Sequence, residues 1–376
     1  MQNINKGFGL LFEMGCGKTL TAIAIAGAGY QMGKVERLLI VAPTSVVAVW
    51  PKELQEYAKF KYTCKTLLGE KKQRLKQIDD LIKFPFKALK VAVINYESTW
   101  RPEILEKLKE FDADMIIADE SQRIKTYDAA QSKAMHELGD QARYKLILSG
   151  TPVQTAAIDI WSQYRFLDKS VFGDNFFKFR GRYAIMGGYG NKKIVGYRDL
   201  EGLIKKEHSI AFRVTKDEAL DLPEQTFEVR KIQFSQKERN LYERIKKDSY
   251  TELEGGGHIT ATTVLTRLLR LQQLTGGFLV QDDAQKPQLV SRAKLDALAD
   301  IIEDYVVGSG KKLVIFARFI AEVKAIIELA DKVLPKNLKH VDIYGDIKKE
   351  DRGDIVKQFQ EDPELSLIHI SEPTRL

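Results

Sequence analysis

The chain has 376 residues, of which 44% are hydrophobic and 30% charged, and its formal net charge is +7. This composition excludes wholesale disorder, and the length predicts two or three domains. The basic excess fits a polyanionic partner and an ordinary basic cytosolic protein equally well. Only Cys16 and Cys64 are present, which excludes a disulfide framework. Since no apolar run reaches the roughly 18 residues of a membrane span, we expect a cytoplasmic protein without a membrane partner.

Short apolar runs alternate with amphipathic stretches through the first 170 residues. Runs such as LLIVAP, MIIADE and KLILSG suit the interior of a parallel sheet, and the alternation predicts a doubly wound α/β domain. The predicted strands are Gly7–Phe12, Arg37–Pro43, Lys87–Glu97, Asp114–Glu120 and Tyr144–Gly150. The predicted helices are Lys18–Met32, Val46–Lys59, Lys71–Lys83, Pro102–Phe111, Ala129–Leu138 and Ala157–Leu167.

The pattern changes near residue 168. Arg180–Arg198, rich in Gly, Tyr and Lys, is interpreted as a loop insertion, and a flexible GGG is expected at 255–257. A second α/β domain is predicted from about residue 290, with a buried strand at 311–319. The other predicted elements are helices at Leu200–Glu207, 235–253, 262–274, Leu295–Tyr305 and Ala321–Asp331, an extended segment after Pro223, and a strand at Lys339–Tyr344.

A phosphate-binding loop is predicted at Gly15–Thr19, GCGKT, because it follows a strand and opens a helix. Glycines allow backbone N–H groups to surround a phosphate, and the start of the helix adds a partial positive charge. Lys18 can reach the β- and γ-phosphates of ATP, and the Thr19 hydroxyl can ligate Mg²⁺. Phe12 occupies the first glycine position of the full G-x-x-x-x-G-K-[ST] pattern.

Two further motifs end predicted strands. Asp119 and Glu120 lie at the carboxyl end of MIIADE, where ligands of open α/β sheets bind. Asp119 can hold Mg²⁺ through its water shell, and Glu120 can deprotonate an attacking water molecule. The alternative is an ordinary acidic pair at a strand end. SGTP at 149–152 can sense the γ-phosphate through its hydroxyl groups, or it is a plain turn.

Together these motifs resemble helicase superfamily two, and most closely the bacterial and phage branch of the Swi/Snf-type DNA-dependent ATPases. Three segments that carry the resemblance are, in chain order, LLIVAPTSVVAVW, VINYE and LILSGTPVQTAAIDIWS. A fourth, FRVTKDEALDLPEQTFEV at 212–229, resembles the link between the two lobes of that family. It covers residues 7–363 and implies tandem RecA-like lobes, each a doubly wound parallel sheet. The implied location is the cytoplasm of a bacterial cell or of a phage-infected host.

The resemblance implies roles for individual residues. Gly15, Cys16, Gly17, Lys18 and Thr19 would hold ATP, with Mg²⁺ at Thr19 and Asp119. Lys18, Asp119 and Glu120 would form the catalytic set. Gln122 (where the family commonly has His), Ser149 and Thr151 would couple nucleotide state to lobe movement. Thr44, Ser45, Asn95 and Tyr96 would contact the DNA backbone with little sequence preference. Thr44 or Ser45 also suits a helix N-cap.

The implied function is an ATP-dependent motor that moves on mainly duplex DNA. Two alternatives stay open: a strand-separating DNA or RNA helicase of the same superfamily, and a non-catalytic module that binds ATP or DNA. The basic helices at 237–247 and 262–274 suit DNA binding or ordinary solvated helix faces. Five His residues without ligand spacing disfavour a metal hydrolase.

The implied domains are a first lobe at 1–225 with an insertion at about 168–212, a helical region at 226–289 and the start of a second lobe at 290–364. Residues 365–376 contain LSLIHISEPTR, which resembles the translated adapter of a sequencing library; a native strand is the alternative. We therefore expect an incomplete second lobe that lacks the arginine reaching the γ-phosphate. Such a chain would bind ATP and hydrolyse it poorly. We also expect LSLIHI to lack a partner strand.

Overall fold

The structure is a computed structural model that describes residues 7–153, 155–191, 193–254, 261–279, 287–345, 347 and 352–371. The chain divides into two compact units, Met1–Glu224 and Gln225–Leu376, which are described separately. The glycine run predicted to be flexible, 255–257, lies outside the described residues.

The first unit alternates strands and helices along the chain. Its strands are β1 (Gly7–Phe12), β2 (Arg37–Ala42), β3 (Tyr62–Thr66), β4 (Leu89–Asn95), β5 (Met115–Asp119), β6 (Tyr144–Leu148), β7 (Ala184–Gly187), β8 (Lys193–Tyr197) and β9 (Ala211–Val214). Its helices are α1 (Lys18–Gln31), α2 (Val49–Tyr57), α3 (Lys71–Ile82), α4 (Tyr96–Thr99), α5 (Pro102–Phe111), α6 (Ala130–Gln141), α7 (Ile160–Leu167), α8 (Lys169–Phe172), α9 (Phe176–Tyr183), α10 (Leu200–Glu207) and α11 (Lys216–Ala219).

Within the described residues, seven of these strands form one sheet in the order β3-β4-β2-β5-β6-β1-β9. Every pairing between neighbours in it is parallel. All five predicted strands are present within one or two residues of their predicted bounds, so the doubly wound α/β fold is confirmed. Neither β3 nor β9 is predicted from the sequence; these two edge strands have partly exposed side chains.

Side chains from the strands alternate between two hydrophobic cores. Leu38 and Ile40 of β2 pack on one face with Ala22 of α1 and Trp50 of α2. Their neighbours Leu39 and Val41 pack on the other face, in the cluster that also holds residues of α3, α5, α6 and α7. Because successive strand residues point to opposite faces, a strand covered by helices on both sides has an uninterrupted apolar sequence.

The interpretation of Arg180–Arg198 as a loop is wrong. Its first residues end α9, and β7 and β8 then pair as an antiparallel hairpin. Glycine is useful in the hairpin because a Cβ on Gly187 would lie 2.9 Å from the Val195 side chain. The predicted insertion at 168–212 also runs into β9, which pairs with β1 and belongs to the main sheet.

The second unit contains a smaller parallel sheet. Its elements are α12 (Gln236–Glu254), α13 (Ala261–Thr275), β10 (Phe278–Leu279), β11 (Gln288–Leu289), α14 (Ala293–Ile301) with a π-helical extension at Ile302–Gly308, β12 (Leu313–Ala317), α15 (Ile320–Val333), β13 (Lys339–Ile343), α16 (Arg352–Glu361) and β14 (Leu365–Ser371). The described strands of this sheet follow the order β12-β14-β13. The expected burial of 311–319 is wrong, because alternate side chains of β12 are exposed and Phe316 is 67% exposed.

The expectation that LSLIHI has no partner strand is also wrong. These residues begin β14, which lies between β12 and β13 and is parallel to both. Leu367 and Ile368 are buried in the cores on the two sides of this strand. An apolar, β-branched segment that follows a helix can complete a parallel sheet, and here the central position supplies hydrogen-bond partners on both sides.

His369 is an anomaly in this central strand. Its side chain is fully buried, and neither ring nitrogen has a partner in hydrogen-bonding geometry. The nearby Val341 backbone favours the protonated imidazole, but it does not outweigh the effect of burial. Burial and the neighbouring His340 lower the pKa of His369 to about 4. A buried polar group without a partner costs about 1–3 kcal/mol.

Replacing His369 with Leu should therefore stabilise the second unit by about 1 kcal/mol or more. The pKa of His369 is about 4 in the folded protein and about 6.5 in the unfolded chain. Between pH 4 and 6.5 the unfolded chain therefore binds more protons than the folded protein. The stability of the parent unit should fall as pH drops from about 6.5 to 4, and His369→Leu should weaken that dependence. Hydrogen exchange of peptides from β12 and β13 in the full chain measures both effects.

His208→Leu is the matched control, because His208 is exposed and an exposed substitution changes stability by less than about 0.5 kcal/mol. Faster exchange of β12 and β13 in His369→Leu than in the parent would show that the imidazole is satisfied within the sheet.

Candidate functional site

The loop between β1 and α1 has the backbone expected of a phosphate-binding loop. Gly15 and Gly17 have φ angles of 88° and 81°, in the left-handed region that favours glycine. A Cβ on either residue would meet nothing within 4 Å, so this backbone faces open space. The Cys16 amide donates to the Glu13 carbonyl at 3.2 Å, and its side chain packs against the core under α1.

Lys18 is folded back on the same loop. Its Nζ donates to the carbonyl oxygens of Phe12 at 2.8 Å and Glu13 at 3.2 Å. Two neutral carbonyl groups satisfy an ammonium group only in part, so a phosphate oxygen is a stronger acceptor for it. Thr19, the second residue of α1, is half-buried beside this lysine.

Asp119 ends β5 and is 6% exposed. Its Oδ2 accepts a hydrogen bond from Trp50 Nε1 at 3.0 Å, and its Oδ1 accepts one from the Glu120 amide at 3.0 Å. Burial raises the pKa of Asp119 to about 6; the charge of Glu120 acts in the same direction, while the Trp50 hydrogen bond and Lys18 oppose the shift. Sequence reasoning missed Trp50, since nothing local links it to a carboxylate 69 residues away.

Glu120, Gln122, Ser149 and Thr151 form a chain of hydrogen bonds. Gln122 Nε2 donates to Glu120 Oε2 at 2.6 Å, and Ser149 Oγ donates to Gln122 Oε1 at 2.8 Å. The Thr151 amide then donates to Ser149 Oγ at 3.1 Å. Gln122, which replaces the commoner His of the predicted coupling motif, therefore bridges the two motifs with its two amide atoms.

Glu120 itself has a φ of 50°, in the left-handed region that costs a non-glycine residue about 1–2 kcal/mol. Such strain is commonly found at functional sites. Immediately after it, the 3₁₀ turn Ser121–Ile124 begins.

The SGTP segment also contacts the phosphate loop. Leu148 pairs with Leu10 of β1 on one side and with Asp119 of β5 on the other. The Ser149 amide donates to the Leu10 carbonyl at 3.2 Å. A Cβ on Gly150 would lie 3.3 Å from the Phe12 carbonyl, so the two loops are nearly in contact. The parallel register therefore brings the three predicted motifs to one edge of the sheet.

The predicted DNA-contacting residues Thr44, Ser45 and Asn95 follow β2 or end β4 at the same edge. Glu97 Oε2 accepts hydrogen bonds from Thr44 Oγ1 at 3.1 Å and from Asn95 Nδ2 at 2.9 Å. Burial acts to raise the pKa of Glu97, but hydrogen bonds from its own backbone and from these two residues hold that pKa below its usual value. Thr44 and Ser45 are exposed. Neither caps α2, whose N-cap is Ala48, so the capping interpretation is wrong.

Tyr96 does not lie on a surface. Its side chain is fully buried, and its hydroxyl donates to the Asp119 carbonyl at 2.8 Å. The interpretation of the Tyr96 side chain as a DNA contact is therefore wrong. The Tyr96 hydroxyl instead holds the backbone carbonyl at the end of β5, whereas Trp50 holds the Asp119 carboxylate.

Two other contacts at this edge had no counterpart in the sequence analysis. Gln163 of α7 accepts from Ser121 Oγ at 2.7 Å and donates to the Pro152 carbonyl at 2.6 Å, which ties the DES turn to the SGTP segment. Glu13 of the phosphate loop accepts from the Lys216 amide at 3.1 Å, just after β9. Both join segments that are far apart in the sequence.

The residues present fit ATP with Mg²⁺. An open glycine-lined backbone and one lysine suit a triphosphate, and a hydroxyl with one carboxylate suits Mg²⁺, which usually keeps several water ligands. In the part of the chain that the structure describes, no group of three or more His, Cys, Asp or Glu side chains could hold a metal ion.

None of the described helices of the protein is both long and apolar enough for a membrane span.

Comparison with known proteins gives a family. The family described as SNF2-related domain matches residues 2–276. A Bacillus subtilis protein named putative ATP-dependent helicase/translocase YwqA is 28% identical over 371 residues, which covers 96% of this chain and 38% of that protein. The mouse protein named DNA annealing helicase and endonuclease ZRANB3 is 25% identical, which covers 96% of this chain and 32% of its own length. The chain thus spans less than two fifths of these curated relatives.

Among solved structures, the SWI2/SNF2 ATPase core of Sulfolobus solfataricus in complex with double-stranded DNA is similar to this chain. It is 25% identical with a TM-score of 0.48, and the match covers 97% of this chain and 73% of that one.

Trp50→Phe tests the contact that holds Asp119. The substitution keeps most of the buried ring but removes the Nε1–H donor from a buried carboxylate, which should cost about 1–3 kcal/mol of unfolding free energy. Trp161→Phe is the matched control, since Trp161 is 5% exposed and its Nε1 has no hydrogen-bond partner. Urea denaturation of the full chain should give a larger loss for Trp50→Phe, and equal losses would contradict a stabilising Trp50–Asp119 bond.

Proposed function

The chain belongs to the family of SNF2-related domains, and from that premise we propose that it is part of an ATP-dependent motor that moves on duplex DNA. Its first unit binds ATP with Mg²⁺ and supplies the residues that activate water. The location we propose is the cytoplasm of a bacterial cell or of a phage-infected host. The names of the relatives, a helicase/translocase and a DNA annealing helicase, support DNA as the partner.

The observation that carries this proposal is the hydrogen-bond chain from Glu120 through Gln122 and Ser149 to Thr151. A simple ATP-binding module needs only the phosphate loop and a Mg²⁺ ligand. Here the proposed water-activating carboxylate is linked by side-chain contacts to a second loop, which lies close to the residues between β1 and the phosphate loop. Such a link makes the position of that second loop depend on the γ-phosphate, as a motor requires.

The proposed chemistry follows from the same contacts. Lys18 exchanges the Phe12 and Glu13 carbonyls for phosphate oxygens, while the amides of the glycine-rich loop surround the β-phosphate. Mg²⁺, bound through Thr19 and Asp119, would neutralise charge on the β- and γ-phosphates. Glu120 orients the attacking water and accepts its proton. Gln122 holds the Glu120 carboxylate in place and senses its change of charge.

For DNA we propose contacts to the phosphate backbone from Thr44, Ser45 and Asn95. The Glu97 carboxylate repels phosphate where it now accepts hydrogen bonds from Thr44 and Asn95. DNA binding through these residues therefore requires that the Glu97 side chain turn away and release both donors. Slow ATP hydrolysis by this chain alone is also a proposal, and it rests on the family resemblance.

Lys18→Ala should lower ATP affinity by about 10-fold or more, because it removes charge-assisted hydrogen bonds to the phosphates. Glu120→Gln is the matched control. It should keep ATP affinity within about threefold and reduce turnover by about 10²–10⁴, since only the proton acceptor is lost. A fluorescent ATP analogue measures binding and phosphate release measures turnover. Unchanged ATP affinity in Lys18→Ala would contradict the proposed phosphate-binding role of Lys18. Turnover at the parent rate in Glu120→Gln would contradict the proposed role of Glu120 as proton acceptor.

Duplex DNA binding should be electrostatic and nearly independent of sequence. The logarithm of the binding constant should fall linearly with the logarithm of salt concentration, with a slope of about −0.9 for each phosphate contacted. Fluorescence anisotropy with two unrelated duplexes of equal length measures the slope and the difference between sequences. A difference approaching about 4 kcal/mol would indicate base readout and contradict the proposed backbone grip.

A further inference from the structure

The opposite edge of the main sheet carries a surface that the nucleotide site does not use. Tyr62 and Leu89 are the first residues of β3 and β4 and pair in register. The Leu89 amide donates to the Lys61 carbonyl at 2.9 Å, so the segments 59–62 and 83–87 that precede the two strands lie side by side. Between them is an open depression of about 610 Å³, whose lining includes Phe60, Lys61, Tyr62, Phe84, Phe86 and Lys87. We refer to these six residues as the aromatic–lysine depression.

Lysines alternate with aromatic residues in KFKY at 59–62, and two lysines flank the two phenylalanines of KFPFK at 83–87. Lys59, Lys61, Lys83 and Lys87 are all exposed. Within the described residues none of the four ammonium groups forms an ion pair; Asp79, the acid whose pKa Lys83 helps to lower, is itself bonded to Lys107 at 2.6 Å. The depression therefore has a positively charged rim whose lysines form no ion pair among the described residues.

The Phe60 ring of the depression is held in position by packing on α1. A Cβ on Gly27 of α1 would lie 2.3 Å from the Phe60 ring, so this ring rests directly on the helix backbone. Phe60 also contacts Tyr30 and Tyr62, with centroids 6.2 Å apart in each case. Across the depression, Phe84 and Phe86 meet edge to face at 5.5 Å.

Phe86 is 71% exposed, and neither it nor Phe84 belongs to the hydrophobic cores. Core packing therefore does not account for two phenylalanines on a short loop. Exposed apolar surface of this kind, rimmed by polar groups, commonly marks a binding site.

We propose that the aromatic–lysine depression binds single-stranded nucleic acid without sequence preference. Proteins bind single strands by stacking unpaired bases on aromatic side chains and by holding the phosphates in a positively charged groove. Here each kind of group is present, since lysines lie next to aromatic residues in both segments. A duplex does not fit as well, because its bases are already stacked on one another. The concave shape suits a flat ring better than the surface of a bilayer, and an acidic peptide would need the lysines but not the exposed ring faces.

This site lies well away from the nucleotide site. The six residue steps of β4 from Leu89 to Asn95 span about 20 Å, and Asn95 is already at the edge that carries the proposed duplex contacts. The proposal does not depend on ATP hydrolysis or on duplex binding, so variants at the two edges of the sheet can be tested separately.

The first test compares Phe86→Ala with the parent full chain, using fluorescence anisotropy of a labelled oligothymidylate and of a labelled duplex. Loss of one stacking ring should weaken single-strand binding by at least about fivefold and change duplex binding by less than about twofold. Phe227→Ala is the matched control, since Phe227 is 90% exposed and lies in the other unit. The paired substitutions Lys61→Gln and Lys87→Gln should reduce the single-strand salt slope by about 1.4.

A second test locates the contact. Photocrosslinking of an oligonucleotide that contains 5-iodouracil should give adducts on peptides with Phe84 or Phe86. The proposal is overturned if Phe86→Ala binds the oligothymidylate like the parent, or if single-strand and duplex affinities fall in parallel. It is also overturned if polyglutamate competes as well as oligothymidylate, or if anionic phosphatidylserine vesicles bind the chain and the oligonucleotide does not. Failure of the Lys18→Ala test would leave all of these outcomes unaffected.

Discussion

The parallel register of β1, β6 and β5 is the constraint on which the proposed nucleotide site depends. Leu148 pairs with Leu10 on one side and with Asp119 on the other. The loops that follow these three strands therefore begin next to one another at the same edge of the sheet. Neighbouring strands lie about 4.8 Å apart, which brings the phosphate loop, the acidic pair and the SGTP segment within reach of one another. A shift of one residue would turn Asp119 toward the opposite face of the sheet.

The acidic end of β5 is held from both faces of the sheet. Trp50, in the core with α1, binds the Asp119 carboxylate, and Tyr96, in the opposite core, binds the Asp119 carbonyl. The segments that carry the proposed DNA contacts, after β2 and β4, are therefore fixed to the proposed Mg²⁺ ligand by buried hydrogen bonds. If DNA and ATP bind as we propose, this arrangement connects the two sites through a few buried hydrogen bonds.

The two edges of the main sheet carry different chemistry because parallel strands differ at their two ends. At the carboxyl ends, glycines, hydroxyl groups and carboxylates form a polar network, most of whose donors and acceptors are paired with each other. At the amino ends of β3 and β4, Phe86 and four lysines are exposed, and none of these lysines forms an ion pair among the described residues. The first edge is the one at which we propose a bound nucleotide, and the second is the one at which we propose single-stranded nucleic acid.

The sequence by itself determined the doubly wound fold, the five inner strands and the positions of the three motifs, because apolar runs, turn glycines and strand-end polar residues are local signals. It did not determine the edge strands or the β7–β8 hairpin, since exposed or glycine-rich strands lack a clear apolar pattern. It also did not determine the pairing of β14, because an apolar run does not specify which strands it will lie between. Only the tertiary structure decided that Tyr96 is buried and that Trp50 holds Asp119. That contact joins residues 69 positions apart, and such a separation is set by the packing of whole elements, not by any pattern along the chain.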